Sequence, residues 1–264
     1  MWVIATRRKT CIEYDRLLNT LGTLGTIGTP GTVIILALDT TTRGGSVAVT
    51  DDDRVLALLA GDESRTHGER LPGEIARALD QAGISRDRLD LLAVATGPGA
   101  FTGLRIGLAA IQGLAMTLDK PAIGVSALDA LAEQLIASDA DVLVPWMDAQ
   151  RGDVFATAID RRSKTTLETA AAASPAELLR TWRTHLVNRR AIFVGDAAAR
   201  DAALIEQAGG GLWHPQAPLP LAPQVAIIGR RRALNGESGP PHKLEPIYVR
   251  RPDAEIERER RGRP

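Results

Sequence analysis

The sequence predicts an α/β fold made of two related halves with a cleft between them. Apolar runs rich in β-branched residues alternate with segments of helical spacing, which is typical of strands and helices that pack in layers. A hairpin whose first strand ends in aspartate occurs twice, at Asp39 and at Asp148. Of the 264 residues, 44% are hydrophobic, which is enough for one large domain or two small domains that share a cleft.

Composition argues against several classes of function. The 32 basic and 32 acidic residues balance, so no global field directs the chain onto nucleic acid or an anionic membrane. No apolar run approaches the ~20 residues of a membrane span, and we expect no membrane contact. The single cysteine, Cys11, excludes an intramolecular disulfide and suits a reducing cytoplasm.

Both ends of the chain differ in composition from the rest. A Gly-Thr tract of three-residue period runs from Leu21 to Thr32, and such low-complexity tracts are typical of flexible linkers. We expect residues 1–32 to form a dispensable flexible leader; the alternative is that translation begins near Val33. Residues 251–264 are almost wholly charged, which predicts a disordered tail.

The first half, residues 33–137, is predicted to open with a three-stranded meander. Apolar β-rich runs separated by short polar turns predict hairpins, and apolar residues at a period near 3.6 predict helices. In chain order the predicted elements are strands over 33–38, 46–50 and 54–60, a helix over 68–81, a strand over 89–95, a helix ending at Leu118, a strand over 122–125 and a helix over 127–136.

The second half, residues 138–250, repeats this order in a shorter form, and its last helix is expected to pack back. Four prolines between His214 and Pro223 predict a loop there. In chain order the predicted elements are strands over 142–149 and 154–159, a helix over 175–183, a strand over 191–194 and a helix over 224–234.

The first hairpin turn has the composition of a cation or phosphate site. Asp39, Thr40 and Thr41 precede Gly44 and Gly45, and hard cations such as Mg²⁺ take oxygen ligands. The alternative is an Asx turn whose side chains only satisfy local backbone groups. The spacing of the residues favours neither.

The stretch from Thr96 to Gly107 joins a predicted strand to a long predicted helix. Gly97 and Gly99 allow positive φ and the close approach of a ligand or another chain segment, and a helix N-terminus is a ready anion site. The stretch is therefore either a phosphate loop that works with Asp39 or a tight turn without a ligand.

The helix that follows is unusually rich in small residues. Each interior glycine costs ~1 kcal/mol relative to alanine, so Gly103, Gly107 and Gly113 need a packing reason. Small residues four apart let a partner backbone approach closely. We therefore predict that this helix is a subunit interface, formed by Gly103, Arg105, Gly107, Ala110 and Ile111.

The histidines and the cysteine argue against metal and peptidase sites. His67, His185, His214 and His242 are scattered, whereas metalloprotease chemistry needs paired histidines and a glutamate base. Cys11 lies in the predicted leader, and no nucleophile elbow is present. We expect no metal site and no peptidase activity.

Several motifs resemble those of the bacterial TsaB (YeaZ) proteins, and the match covers about residues 33–251. The block from Gly97 to Gly107, Gly-Pro-Gly-Ala-Phe-Thr-Gly-Leu-Arg-Ile-Gly, is the most specific. The other motifs that carry the resemblance are Asp39–Thr42 with 46–49, His67 with Leu71–Pro72, and the segments 124–128, 148–154 and 246–250. The resemblance implies an actin-like/Hsp70-like ATPase (ASKHA) fold in a protein that is not itself the catalyst.

The resemblance also implies partners. TsaB-like proteins pair with a TsaD-like catalytic subunit, which transfers threonylcarbamoyl to the adenosine next to the anticodon of ANN-reading tRNAs, and a TsaE-like ATPase joins them. We therefore expect a non-catalytic cytoplasmic subunit that meets tRNA only through the complex and forms a homodimer when alone. TsaD relatives carry a pair of metal-binding histidines, of which only His67 has a counterpart here.

Nucleotide binding is expected to be partial. No cofactor is required, but ATP or ADP with Mg²⁺ at a shared interface would use Asp39, Thr40, Thr41, Gly97 and Gly99. An actin-like ATPase needs a second phosphate loop, and the segment at 195–198 supplies a single glycine, so we predict no independent ATP turnover. The alternative is a stand-alone actin-fold ATPase or small-molecule kinase.

Overall fold

The computed structural model describes residues 32–250, which form two five-stranded sheets with helices on their faces. The predicted tail over 251–264 and, apart from Thr32, the predicted leader lie outside the described residues. The elements of the first half are β1 (Ile34–Asp39), β2 (Ser46–Asp51), β3 (Arg54–Ala60), α1 (His67–Ala82), β4 (Leu91–Gly97), α2 (Phe101–Leu118), β5 (Ala122–Ser126) and α3 (Ala127–Glu133).

The first sheet is an antiparallel meander extended by two parallel strands, in the order β3-β2-β1-β4-β5. β1 runs antiparallel to β2 and parallel to β4. Both β1 and β4 are buried over their whole length, as expected for continuous apolar runs covered on both faces. Asp39 thus lies at the carboxyl end of the central strand.

The second sheet repeats this arrangement in the order β10-β9-β6-β7-β8. Its first three strands again form an antiparallel meander, and β9 and β10 are added in parallel. The two related α/β halves predicted from the sequence are therefore confirmed. The elements are β6 (Val142–Asp148), β7 (Val154–Asp160), β8 (Thr166–Ala173), α4 (Pro175–Thr181), α5 (Arg183–Leu186), β9 (Ala191–Val194), α6 (Asp196–Arg200), α7 (Ala202–Gly209), β10 (Trp213–Gln216) and α8 (Ala222–Leu234).

Helix starts and stops follow local sequence signals. Thr66 and Glu69 form a capping box at the start of α1, in which each side chain satisfies a backbone amide of the other residue. Gly83 ends α1 with a φ of 65°, a left-handed cap that suits glycine. The Ser126 hydroxyl accepts a hydrogen bond from the Asp129 amide at the start of α3.

Three layers of hydrophobic residues hold the fold together. One layer lies under α1 and α2, on the outer face of the first sheet. A second lies between the two sheets and contains residues of α3 and α8. The third lies under the helices of the second half, around Trp146, Phe193 and Trp213. Because α8 packs on β1, β2 and β4, the last helix of the second half covers the sheet of the first half.

Helix α2 has one face packed on the sheet and one exposed face, although the exposed face is not highly charged. Leu104, Leu108 and Ile111 pack on the first sheet, while Met116 on the other side is 68% exposed. Of the helices within the described residues, α2 passes the length and composition test for a membrane span, a test that core helices of globular proteins pass as well. About a third of the helix is buried in the fold, so its packing on the sheet accounts for only part of its apolar composition.

Five elements escaped prediction, one of which is the four-residue helix α5. β8 is an alanine-rich edge strand with no clear alternation of buried and exposed residues, so the period-2 signal is missing. The loop predicted over 214–223 was wrong at its start, because Trp213–Gln216 forms β10 beside Ala191–Val194. β10 lies at the sheet edge, where Pro215 is tolerated. The short helices α6 and α7 were also missed.

Candidate functional site

A cleft of about 1030 Å³ lies between the two halves, at the carboxyl ends of β1 and β6. In α/β sheets, ligands bind at this end of the strands. Asp39 from the first half and Asp148 and Asp196 from the second half line the cleft. Three basic side chains line it too and offset most of the acidic charge: Arg43, Arg65 and Arg200.

The Asp39 carboxylate is buried and bound by its own turn. It accepts hydrogen bonds from the Thr41 amide at 2.8 Å, the Thr41 hydroxyl at 2.6 Å and the Thr42 hydroxyl at 3.0 Å. Burial raises the pKa of Asp39, against the opposing effect of the Thr41 and Thr42 hydrogen bonds. The Asx-type turn is therefore formed, and Asp39 and Thr41 also lie on the cleft wall.

Thr40 faces away from the cleft and packs on α2. A Cβ atom at Gly103 would lie 2.3 Å from the Thr40 carbonyl oxygen, and one at Gly107 would lie 2.2 Å from the Thr40 hydroxyl oxygen. The close approach that these two glycines permit is thus made within the chain. This corrects the predicted subunit interface, because Gly103, Gly107 and the fully buried Ile111 face inward and Ala110 packs partly against the core, whereas Arg105 is exposed.

Gly97 and Gly99 also pack on their own chain and lie outside the cleft lining. Gly97 has a φ of 109°, and a Cβ atom there would lie 2.7 Å from the Ile247 carbonyl oxygen. A Cβ atom at Gly99 would lie 2.5 Å from the Thr41 carbonyl oxygen, which also accepts a hydrogen bond from the Ala100 amide. The tight-turn alternative therefore describes this loop better than a phosphate loop.

A buried ion pair joins α1 to the first hairpin turn. Arg70 binds both carboxylate oxygens of Glu74 at 2.8 Å and donates to the Gly44 carbonyl. Arg70 also bonds to Nδ1 of His67, whose Nε2 lies 3.0 Å from the Thr42 carbonyl oxygen. This arrangement assigns the proton of His67 to Nε2.

Both ring nitrogens of His67 therefore lie within hydrogen-bonding distance of groups of its own chain. Burial, and then the charge of Arg70, lower the pKa of His67, which keeps its ring neutral. No cluster of metal-ligating side chains occurs among residues 32–250. Sequence reasoning overlooked Arg70 and Glu74; their four-residue spacing is a known ion-pair signal, but their burial is decided by the fold.

The second half contributes two aspartates and an arginine. The Asp148 amide donates to Asp196 at 2.8 Å, and the Asp148 carboxylate accepts from Arg200 at 2.8 Å. Burial, followed by the negative charge of Asp148, raises the pKa of Asp196. Sequence reasoning noted Asp196 only as part of the segment at 195–198 and overlooked Arg200, for which the sequence offered no local signal.

Gly195 lies where the second phosphate loop of an actin-like ATPase was expected. Its φ is 154°, and a Cβ atom there would lie 1.9 Å from the Trp146 carbonyl oxygen. The glycine is therefore required by packing of the chain against β6. The arrangement has carboxylates on both sides of the cleft, with Asp39 on one side and Asp148 and Asp196 on the other.

The outer side of α1 and α2 is the second candidate site. On α2 the exposed residues Arg105, Ala109, Gly113 and Met116 follow one another at helical spacing. On α1, Gly68, Pro72 and Gly73 are exposed, and Gly68 faces the Ile106 side chain of α2. We call this surface the helix face. Its small side chains would let another helix approach closely.

Aromatic residues border the helix face at its N-terminal end. Phe101 stacks on Tyr248 with ring centroids 5.7 Å apart, and the guanidinium of Arg105 lies 4.0 Å from the Phe101 centroid. All three side chains are partly exposed. The segment that carries Tyr248 is fixed by the Ile247 amide, which donates to the Thr96 carbonyl at 2.7 Å. Arg105 thus has intramolecular partners at the edge of the surface.

The Asp39→Asn variant is expected to be more stable than the wild-type chain at pH 7 by about 1 kcal/mol. Because the pKa of Asp39 is raised by burial, the folded chain holds this proton to a higher pH than the unfolded chain. The wild type therefore loses stability as the pH rises from 3.8 through the raised pKa. Asparagine removes that cost, and the difference should shrink as the pH is lowered toward 4.

Urea unfolding at pH 7 and pH 4 measures this difference. Asp62→Asn is the control, because hydrogen bonds from Ser64 lower the pKa of that exposed carboxylate, and its removal should not stabilise the chain at pH 7. A loss of stability in Asp39→Asn at pH 7 would mean that the Thr41 and Thr42 hydrogen bonds outweigh the burial cost.

Comparisons with known proteins identify relatives. Residues 61–200 match the family model described as TsaD, tRNA N6-adenosine threonylcarbamoyltransferase. The chain is 30% identical to the tRNA threonylcarbamoyladenosine biosynthesis protein TsaB of Escherichia coli (strain K12), over 82% of this chain and 94% of that protein. It is 28% identical to TsaB of Bacillus subtilis (strain 168), over 84% of this chain and 96% of that protein.

A solved structure has the same fold. YeaZ from Pseudomonas aeruginosa superposes with a TM-score of 0.66 at 25% identity, covering 82% of this chain and 99% of the other. Together with the repeated sheet order, this confirms the actin-like α/β fold of two related halves that the resemblance implied.

Proposed function

The chain belongs to the TsaB (YeaZ) family, and on that premise we propose that it is the non-catalytic subunit that docks a TsaD-like enzyme. Members of the family are tRNA threonylcarbamoyladenosine biosynthesis proteins, so the chain acts in this tRNA modification. The match of residues 61–200 to a TsaD model fits a partner of related fold.

The observation that carries the docking proposal is the composition of the helix face. Ala109 and Gly113 are exposed on α2, a Cβ atom at Gly113 would meet nothing within 4 Å, and Met116 is 68% exposed beside them. A partner helix could therefore approach closely there and remove apolar surface from water. Alone, the chain would use the same surface to form a homodimer.

We propose that the chain alone is not catalytic, because most of the residues expected to bind nucleotide do not line the cleft. Of the five residues expected to bind nucleotide, Asp39 and Thr41 line the cleft, whereas Thr40, Gly97 and Gly99 pack on other parts of the chain. Asp39 already accepts three hydrogen bonds from its own turn. ATP or ADP with Mg²⁺ would then bind only where a partner completes the site, and the chain alone needs no cofactor.

Mixing the purified chain with a TsaD-like protein from the same organism tests the docking proposal. Size-exclusion chromatography with light scattering is expected to show a stoichiometric complex, which a TsaE-like ATPase then joins in the presence of ATP. The proposed setting is the cytoplasm, where tRNA reaches this chain within the complex. If no complex forms with any TsaD-like protein, the docking proposal is wrong.

Steady-state ATP hydrolysis by the chain alone tests the other half of the proposal. No turnover above background is expected, with or without Mg²⁺. Robust Mg²⁺-dependent hydrolysis that Asp39→Asn removes would favour the alternative function, a stand-alone actin-fold ATPase or kinase. The cleft of about 1030 Å³ with aspartates from both halves is the feature that such an enzyme would use.

A further inference from the structure

A second groove lies at the end of the second sheet opposite the cleft. It has a volume of about 450 Å³ and lies where β6 and β9 begin, next to the turn between β7 and β8. We call it the distal groove. Its lining residues are Ala140, Asp141, Asp160, Arg161, Arg162, Ser163 and Arg189.

Backbone carbonyls hold two of its three arginines in place. The Nε of Arg161 donates to the Ala140 carbonyl at 2.5 Å, and Arg189 donates to the Asp141 carbonyl at 3.2 Å. A guanidinium has five donors in a planar fork, so each keeps donors for a further ligand. Their orientation is fixed while much of their hydrogen-bonding capacity is unused.

The carboxylate of Asp160 is already engaged. One oxygen accepts from the Ser163 amide at 2.8 Å, the Ser163 hydroxyl at 2.9 Å and the Arg162 amide at 3.1 Å, and the other oxygen pairs with Arg189. Asp160 therefore shapes the turn that presents Arg162, and Arg189 balances its charge.

Positive charge is in slight excess around the distal groove, which is lined by three arginines and by two aspartates, Asp141 and Asp160. Asp139 pairs with Arg190 at 2.6 Å, while within residues 32–250 no carboxylate forms a salt bridge with Arg161, Arg162 or Lys164. By contrast, the run of arginines on α8 is paired with acids in each case, as Arg230 with Asp52, Arg231 with Glu133 and Arg232 with Glu237. The excess at the groove is thus a local feature of a chain whose net charge is zero.

We propose that the distal groove binds backbone phosphates of the tRNA that the complex modifies. The proposal rests on the proposed function, which places the chain in a complex that acts on tRNA. Guanidinium forks match phosphate oxygens in pairs, and contacts to phosphates position an RNA without reading its sequence. Because the net charge of the chain is zero, the contact would add to the binding by the catalytic subunit rather than replace it.

The test reverses charge at two exposed positions of the turn, Arg162→Glu with Lys164→Glu. The matched control is Arg86→Glu with Arg88→Glu, an equal charge change at exposed positions of the first half. Each variant is assembled with a TsaD-like subunit, and tRNA binding is measured by fluorescence anisotropy at several salt concentrations. Urea unfolding confirms that both variants are folded.

The groove variant is expected to bind tRNA about 10-fold more weakly at 0.1 M salt, with a salt slope reduced by about two. The control should stay within about 2-fold of the wild type. Equal binding by the groove variant and the control would overturn the proposal.

The assembly step separates this proposal from the proposed function. If the wild-type chain forms no complex, the proposed function fails and the groove proposal fails with it. If the groove variant alone loses the TsaD-like subunit, the groove binds an acidic protein segment and the RNA proposal is wrong. A normal complex with weakened tRNA binding supports both.

Discussion

The Gly103→Ala variant is expected to be less stable than the wild-type chain by about 2 kcal/mol. Alanine in place of glycine normally stabilises a helix interior by up to ~1 kcal/mol. At this position, however, a Cβ atom would lie 2.3 Å from the Thr40 carbonyl oxygen and 2.9 Å from Cδ2 of His67. Backbone cannot move aside as a flexible side chain can, so α2 would have to shift. Urea unfolding measures the loss.

Gly113→Ala is the matched control on the same helix. A Cβ atom at Gly113 would meet nothing within 4 Å, so this variant should gain up to ~1 kcal/mol from helix propensity alone. The two substitutions are chemically identical and differ only in what surrounds the new methyl group. Equal gains in stability at both positions would contradict the contact between α2 and the first hairpin turn.

The Ala109→Arg variant is expected to bind a TsaD-like subunit at least 100-fold more weakly, a change of about 3 kcal/mol. Ala109 is exposed on α2 between Arg105 and Gly113, where a partner helix would approach most closely. Arginine would keep the helices apart and leave a charge without water or a counterion. Isothermal titration calorimetry with the purified partner measures the affinity.

Ala170→Arg provides the comparison for the docking variant. Ala170 is exposed on the edge strand β8, far along the chain from the helix face, and its replacement should leave partner affinity unchanged. Both variants should unfold at the wild-type urea concentration, because arginine is well tolerated at an exposed helix position and a charged side chain suits an exposed edge strand. Undiminished binding by Ala109→Arg would place the partner elsewhere on the chain.

The Thr40–Thr42 segment connects the two candidate sites. Thr40 packs against Gly103 and Gly107 of α2, and Thr41 with Asp39 lines the cleft. The Thr42 carbonyl also contacts His67, which is held by the Arg70–Glu74 ion pair of α1. Any partner that moves α1 or α2 would therefore act on the segment that carries the cleft aspartate.

Local sequence patterns predicted most elements of the fold. The runs at 33–38 and 142–149 are apolar throughout most of their length, and burial on both faces of a central strand demands such a run. The β8 segment was missed because an edge strand with small side chains carries no alternation. It pairs antiparallel with β7 across a short turn, but its own residues carry no period-2 signal that would mark them as a strand.

The candidate sites, like the fold, were predicted only in part from the sequence. The residue types at Asp39 and in the glycine-rich stretch marked them as special, because aspartate followed by hydroxyls can bind a cation or phosphate and glycine inside a helix has a cost that needs a reason. Whether Gly107 faces a partner or its own chain depends on where Thr40 lies after the sheet has formed. The sequence therefore predicted that close packing occurs on α2, but assigned it to the wrong neighbour.

By itself the sequence determined the two-half α/β architecture, the family, and the residues that are unusual for their local structure. Hydrophobic period and turn chemistry act over a few residues, so they can be read directly from the chain. Only the tertiary structure decided that Gly103 and Gly107 pack on Thr40, that Arg70 and Glu74 form a buried pair, and that the helix face is left exposed. These outcomes depend on contacts between residues far apart in sequence, whose energies are set by burial and by which surfaces meet when the layers assemble.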